Sequence, residues 1–425
     1  MKLRCLLYLS VLCLVLFPAG SEAGEWISDG KTNCKVWNES PQPNESISWS
    51  GTCVDGYASG PGVLIWYEGG KESSRYEGQM KNGKRTGKGI YIWANGSKYE
   101  GDFVNDNRTG KGIYTWANGD RYEGDYVNGR RTGKGIYISA NGDRYEGDLV
   151  DNKQTGKGIY TWANGDRYEG DFVNDNRTGK GTLIWGPKSQ WAGDKYIGDF
   201  VNGKRTGKGT YIWASGGRYD GDFVDSNFHG KGIRTWANGD RYEGDYVNDN
   251  RTGKGIYIWA DGDRYEGDYV NNKLMGKGTY FYGPKSQWGG DKYIGDFVND
   301  NRTGKGTYIW ASGNRYEGDF VNNKQMGKGI YTWTSGDRYE GDYVNDSRMG
   351  KGIYTWADGA KYEGDFVDNR HHGKGAFTWA NGNRYEGDFI DNQLHGKGTY
   401  ICRSGQRFSG NFQDGKPVGF TIRCN

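Results

Sequence analysis

The stretch YEGDFVNDNRTGKGIYTWANGDR, Tyr99 to Arg121, decides how this chain is read. It recurs with small changes at a 23-residue spacing, and units begin at Trp49, Tyr76, Tyr99 and onward through Tyr385 to Phe408. The first and last of these sixteen units are degenerate, and those starting at Trp49, Tyr168 and Tyr265 carry insertions. A fixed period of this size means stacked supersecondary units with atypical ends. Two short strands are expected per unit, Lys98 to Val104 and Lys111 to Ala117. Each alternates a large aromatic with a charged or small residue. Asn105 to Gly110 reads as a polar turn, and Asn118-Gly119 marks the next one.

The alternation fixes the faces. Tyr99, Gly101 and Phe103 point one way, and Gly112, Tyr114 and Trp116 join them. Glu100, Asp102, Lys111 and Thr115 point the other way. A six-residue turn would set Phe103 opposite Gly112, Tyr114 opposite Gly101 and Tyr99 opposite Trp116, so that each glycine gains an aromatic neighbour. A bare Asn118-Gly119 hairpin would flip the faces, so a three-residue loop or a bulge is expected there. On the charged face, acids and bases of adjacent strands can pair.

Composition supports an all-β repeat. Of 425 residues 75 are Gly, and hydrophobic residues reach only 34% while aromatics reach 15%. Aliphatic residues are too few for an ordinary layered domain, and aromatics too many for a disordered chain. With 7 Pro, collagen is excluded. The 56 basic and 53 acidic residues are interleaved, which speaks against a nucleic-acid partner.

The pattern YEGD-[FY]-V-N, a turn, then G-K-G-x-Y resembles the MORN repeat (membrane occupation and recognition nexus). His229-Gly230, His372-Gly373 and His395-Gly396 are similar to a common variant of its turn. The resemblance spans residues 49–425. The leader from Cys34 (Cys-Lys-Val-Trp-Asn) and the segment from Trp49 (Trp-Ser-Gly-Thr-Cys) resemble the bacterial secreted type. It implies an elongated, single-layer antiparallel sheet of tandem hairpins, twisted and grooved, with binding and scaffolding roles. Some members associate with anionic phospholipid, and many work through protein contacts.

The N-terminus reads as a signal peptide over residues 1–23. Lys2 and Arg4 precede an apolar run from Cys5 to Phe17, and Ser21-Glu22-Ala23 is a small-x-small cleavage site. The run is short for a membrane span, and Cys13 sits within it behind bulky Leu12, unlike a lipid-attachment site. Residues 24–48 then form a leader, 49–407 the array and 408–425 a terminal unit. Export to the periplasm or outside the cell follows. Four Cys remain after cleavage, Cys34, Cys53, Cys402 and Cys424. They allow three pairings; the short loops favour Cys34–Cys53 and Cys402–Cys424. Simple register would put Cys402 and Cys424 two strands apart, ~10 Å, so the last strand must leave the ladder. Sequons such as Asn107-Arg108-Thr109 read as turn chemistry.

No catalytic, cofactor or metal site is expected. His229, His371, His372 and His395 fall in turns of three units and do not form a ligand set. Gly87-Lys88-Gly89 lacks the ending of a phosphate loop. The turn Asp106 to Gly110 lacks the spaced acids of a calcium loop. Glu100 and Asp102 recur in nearly every unit, whereas catalysis breaks a repeat's symmetry in one place. The breaks are two insertions, Gly186 to Lys195 and Gly283 to Lys292, four units apart. Each puts a Trp in a long turn, and Trp191, Trp288, Lys188 and Lys285 are the candidate partner-binding residues; a copied spacer is the competing account. The reading is a non-enzymatic scaffold of the cell envelope or extracellular space that binds protein. Peripheral contact with anionic lipid and glycan binding on an aromatic groove are the alternatives.

Overall fold

Each repeat folds as one hairpin. In the computed structural model, which describes residues 24–424, the Tyr99 repeat forms strands Lys98–Val104 and Asn107–Thr115. Between them lie only Asn105 and Asp106, at φ 47° and 68°. This is a type I′ turn, which suits Asn and Asp and matches the twist of a hairpin. The expected six-residue turn is therefore two residues long, and the second strand begins at Asn107 rather than Lys111.

The register changes accordingly. Tyr99 faces Tyr114, Gly101 faces Gly112 and Phe103 faces Arg108. Asp102 pairs with Thr109, so Gly110 and Lys111 bulge from the ladder. Glycine opposes glycine because a single tyrosine covers both. A Cβ built on Gly101 or Gly112 would stand 2.5 or 2.4 Å from the Tyr99 hydroxyl. The ring lies flat along the sheet, and its hydroxyl donates to the Asp102 carbonyl at 3.2 Å. The aromatic cover expected for glycine is present, but one tyrosine supplies it to both, two residues before Gly101 on its own strand and diagonally across the pair from Gly112.

Between units the three-residue loop is found. The Trp116 N–H donates to the Asp120 carbonyl at 2.9 Å and the Gly119 N–H to the Trp116 carbonyl at 3.0 Å. Gly119 sits at φ 95°, where glycine carries no steric cost.

The chain divides into two compact units, residues 1–176 and 177–425, each built of these hairpins. Among the described residues there is no helix. On one face the tyrosines interlock. Tyr99 is fully buried and meets Phe103 and Tyr126 edge-on, each at 5.2 Å. Arg108 lies over Tyr99, Tyr114 and Tyr126. The opposite face carries ion pairs between neighbouring strands, such as Lys111–Asp125 at 2.6 Å. They are exposed and contribute at most about 1 kcal/mol each.

The first unit opens with strands Glu25–Ser28, Lys35–Asn38 and Glu45–Trp49. Trp49 takes the role of the repeat tyrosine, covering Gly51 and Gly62. Cys34 and Cys53 are joined, with Cα atoms 5.6 Å apart. The second unit ends on the three-residue strand Lys416–Val418. Beyond it the chain leaves the ladder, which lets Cys424 reach Cys402 with Cα atoms 5.5 Å apart. The residues of the signal-peptide reading, Lys2 to Ala23, lie outside the described residues.

Candidate functional site

In the unit 177–425, the face opposite the aromatics forms a groove of about 1400 Å³. Glycine pairs such as Gly244 and Gly255 make its floor, and Lys231, Lys254, Glu243 and Glu266 line it. This groove is not the aromatic one of the glycan-binding alternative. The tyrosines fill the space over the paired glycines on their own face, and this groove is bounded on the other face by the charged side chains that flank the glycine rows. Its charges are locally compensated: Lys231 pairs with Asp245 and Lys254 with Asp268, both at 2.6 Å. Arg241 pairs with Glu243 at 2.5 Å. A hydrogen bond from Arg218 holds the Asp220 carboxyl below the usual carboxylate range, against the cost of its partial burial.

Two positions interrupt this pattern. In an ordinary repeat an acid stands between two isoleucines, as Glu243 does between Ile233 and Ile256. At Ile197 and Ile294 the order is inverted. Each isoleucine stands between two threonines, Thr182 and Thr210 or Thr279 and Thr307. Both are about two-fifths exposed (42% and 41%), so each is an uncharged apolar station on that face. Each is the third residue of the strand that follows a long loop. The sequence signal was YIGD in place of YEGD, with GKGT in place of GKGI on both sides; sequence reasoning passed over it.

The loops themselves are ordered. The Trp185 N–H donates to the Asp194 carbonyl, the Gly193 N–H to the Trp185 carbonyl and the Asp194 N–H to the Trp191 carbonyl, all at 3.0 Å. The Tyr282 to Asp291 loop repeats these bonds. Trp191 and Trp288 are about half exposed (52% and 53%). Each rests one edge on the aromatic before the loop, Trp191 on Trp185 at 6.3 Å and Trp288 on Tyr282 at 5.6 Å. Lys188 and Lys285 are exposed in the same loops. Each loop therefore carries an exposed Trp and an exposed Lys, and the following strand adds an isoleucine on the groove face.

The histidines are strand residues rather than turn residues. His371 occupies the position of Arg108, buried and stacked on Tyr362 at 3.8 Å. Burial, helped by the nearby Arg348, pushes it down to about 4. His229, His372 and His395 face Asp222, Asp365 and Asp388 across the hairpin. Among the described residues no three His, Cys, Asp or Glu side chains converge as metal ligands would.

No curated protein matches the sequence. Solved structures that align include the TCP domain of Drosophila melanogaster SAS-4 in complex with a proline-rich motif, at 13% identity and TM-score 0.23, covering 42% of this chain and 86% of that one. A mutant TCP10 domain of Danio rerio CPAP aligns at 8% identity and TM-score 0.13, covering 71% of this chain and 99% of that one. A streptogramin B lyase aligns at 15% identity and TM-score 0.12, covering 69% and 88%. The family model of the MORN repeat matches fifteen stretches, from 50–71, 76–98 and 99–121 to 362–384 and 385–407. Such repeats serve as scaffolds and as binding surfaces for protein or membrane lipid. With matches covering most of its length and one hairpin per repeat, the chain belongs to the MORN-repeat family.

Proposed function

We propose that this protein is a non-enzymatic, exported scaffold that holds a protein partner at two stations four repeats apart. The observation that carries this reading is the joint recurrence of an exposed loop Trp and an exposed groove-face isoleucine. Trp191 comes with Ile197, and Trp288 with Ile294. A copied block of four repeats would carry the loop and the inverted strand together as well, and the loop variants below separate the two accounts. Eight strands separate the stations, or ~38 Å along the sheet. A partner engaging both would bind far more tightly than through either one. Lys188 and Lys285 give each station a cation beside its Trp. The compensated charges of the groove favour protein over an anionic membrane surface, which would select a net basic face.

Export rests on the signal-peptide reading of residues 1–23 and on four cysteines that meet in two pairs. In this reading residues 24–48 are a leader, 49–407 the array and 408–425 its end. The resemblance to the bacterial secreted type puts the mature chain in the periplasm or outside the cell.

The test is crosslinking capture from the native envelope, followed by Trp191→Ala, Trp288→Ala and the double variant. Each single change is expected to weaken capture, and the double change to abolish it with the fold intact. Undiminished capture by the double variant would remove the loops from the function. Cosedimentation with anionic but not neutral vesicles, unaffected by the Trp changes, would favour lipid instead.

A further inference from the structure

A carboxylate is shared between consecutive repeats along the aromatic edge. The Tyr137 hydroxyl donates to Asp120, seventeen residues earlier, at 2.5 Å. The other oxygen of Asp120 accepts the Ala140 backbone N–H at 2.8 Å. Tyr257 and Ala260 treat Asp240 in the same way, at 2.8 and 2.9 Å, and Tyr354 and Ala357 treat Asp337 so, at 3.1 and 2.9 Å. One carboxylate thus serves a side-chain donor and a loop N–H. The two positions vary independently: Leu183 has no hydroxyl but keeps Asp166 seventeen residues before it, Tyr114 and Tyr331 have Ser97 and Asn314 there, and Phe377 has Ala360.

One repeat keeps a polar donor with no side-chain acceptor at the earlier position. At Arg234 the donor is kept and made cationic, yet the position seventeen before it is Gly217. The guanidinium lies between the indoles of Trp213 and Trp236, 4.6 Å from each ring. Its Nε is buried with no hydrogen-bond partner. Gly217 lies against the same Trp213, since a Cβ built on it would stand 3.2 Å from that ring. The Ala237 N–H, counterpart of those of Ala140 and Ala260, faces a position with no side-chain acceptor. The charge has been moved within the repeat rather than simply added. Phe228 occupies the position of Arg108 and stacks on Tyr219 at 3.9 Å, while Arg234 occupies that of Tyr114. A side-chain donor and a loop N–H of the kind that elsewhere share a carboxylate have none here, and the donor is a cation flanked by two indoles.

We propose that Arg234 and the Ala237 N–H, between Trp213 and Trp236, form a binding site for a carboxylate supplied by another molecule. The ligand is an acidic side chain or chain terminus of a protein partner. That identification rests on the function proposed above, whereas the site itself does not. A guanidinium held between indoles keeps its donors in one plane, which suits a carboxylate. The apolar walls exclude the water that would otherwise compete for it.

The site can be probed without the partner. The protein is labelled with 5-fluorotryptophan, and the resonances of Trp213 and Trp236 are assigned through Trp213→Phe and Trp236→Phe. Acetate is expected to shift both saturably in the millimolar range, and neutral acetamide to leave them unmoved. Gly217→Asp supplies the carboxylate from within the chain and should weaken the acetate response by about tenfold or more, the worth of one charge-assisted hydrogen bond. The double variant Arg234→Tyr/Gly217→Asp rebuilds an ordinary repeat and should fold and show no response. An absent or unsaturable acetate shift, an equal shift with acetamide, or an undiminished shift in Gly217→Asp would overturn the site. Tighter binding of inorganic phosphate than of acetate would overturn its assignment to carboxylates. A positive acetate result combined with no protein capture would retain the site and reject the protein-partner reading.

Discussion

An interior repeat and the two ends of the chain solve the same problem with different means. In the Tyr99 repeat, one ring covers two glycines and is itself sealed by Phe103 and by Tyr126 of the next repeat. Each repeat is completed by its neighbour, so no part of it can be stable alone. At the start, Trp49 takes the tyrosine's place, and its backbone N–H is held by the buried Asp29 carboxylate at 2.6 Å. At the finish, Phe408 is only half-buried. Gly410 is covered instead by Phe420, which returns from beyond the last strand and meets Phe412 edge-on at 5.6 Å. Cover that a neighbour supplies in the interior is supplied at the ends by tethered chain, and each tether has a disulfide beside it. The comparison teaches that stability here is local and borrowed, and it can be broken at several levels.

The largest effect is expected from the ring that covers two glycines. Tyr99→Ala removes a fully buried aromatic whose space no other side chain can enter, because both facing residues are glycine. The expected loss is about 3–5 kcal/mol. Phe408→Ala should cost well under half of that, since Phe420 already does the covering. Hydrogen exchange read repeat by repeat checks both: protection should fall across the Tyr99 and Tyr122 hairpins in the first case and hardly change in the second. Equal effects would show that the ends are built like the interior.

A second break is set by pH. His371 takes a position that Arg holds in many interior repeats, including the preceding one at Arg348. Its folded-state value lies at about 4, below its ordinary 6.5, so the folded protein keeps it neutral while the unfolded chain takes up a proton. The stabilising contribution is therefore complete above about pH 6.5 and is lost as pH falls toward 4. It is worth up to about 3 kcal/mol. Exchange in the Tyr362 hairpin should accelerate over that window, and His371→Arg should abolish the acceleration. A hairpin equally protected at pH 7 and pH 4 would contradict it.

At the start of the chain, Asp29→Ala should cost about 2 kcal/mol, because it leaves the buried Trp49 N–H without an acceptor. The Asp29 carboxyl sits below the ordinary carboxylate range. Burial opposes this, but hydrogen bonds from the Trp49, Lys31 and Thr32 backbone more than offset it. The loss should be confined to residues 25–68 in exchange measurements. Spread of the effect into the Tyr99 hairpin would mean that the leader supports the array and not only its first strand.

Much of this was legible in the residues. The 23-residue period, the alternation and the absent helical pattern point to tandem hairpins, and the parity argument calls for a three-residue loop or a bulge at Asn118-Gly119, of which the loop is found. What sequence reasoning missed is turn chemistry. Asn105-Asp106 was submerged in a longer polar run, Asn105 to Gly110, that also contains the bulge. A two-residue turn plus a two-residue bulge has the same parity as one six-residue turn, so alternation alone cannot separate them. The inverted positions Ile197 and Ile294, and the Arg234–Gly217 pair, required a residue-by-residue comparison of units. Their significance depends on which positions face each other across strands, and the mistaken register concealed that.

The smallest effect concerns how successive hairpin tips are held. The second turn residue reaches back to the preceding repeat: Asn152 Oδ1 accepts the Arg131 backbone N–H at 2.9 Å. Asn369 does the same for Arg348 at 2.9 Å. Some repeats have Gly here instead, and Gly129 lacks the side-chain acceptor; its N–H donates to the Arg108 carbonyl and its carbonyl accepts from the Arg108 guanidinium, both at 2.9 Å. Asn152→Gly should therefore cost only about 0.5–1 kcal/mol, the worth of one partly exposed hydrogen bond. Glycine's ease at positive φ recovers part of even that, since Asn152 sits at φ 72°. Asn152→Ala loses the same bond and gains no such relief, so it should be the more damaging of the two. Melting of the two variants side by side checks the order. If Ala proved the milder change, the backbone conformation would not be what selects Asn, Asp and Gly at the tips.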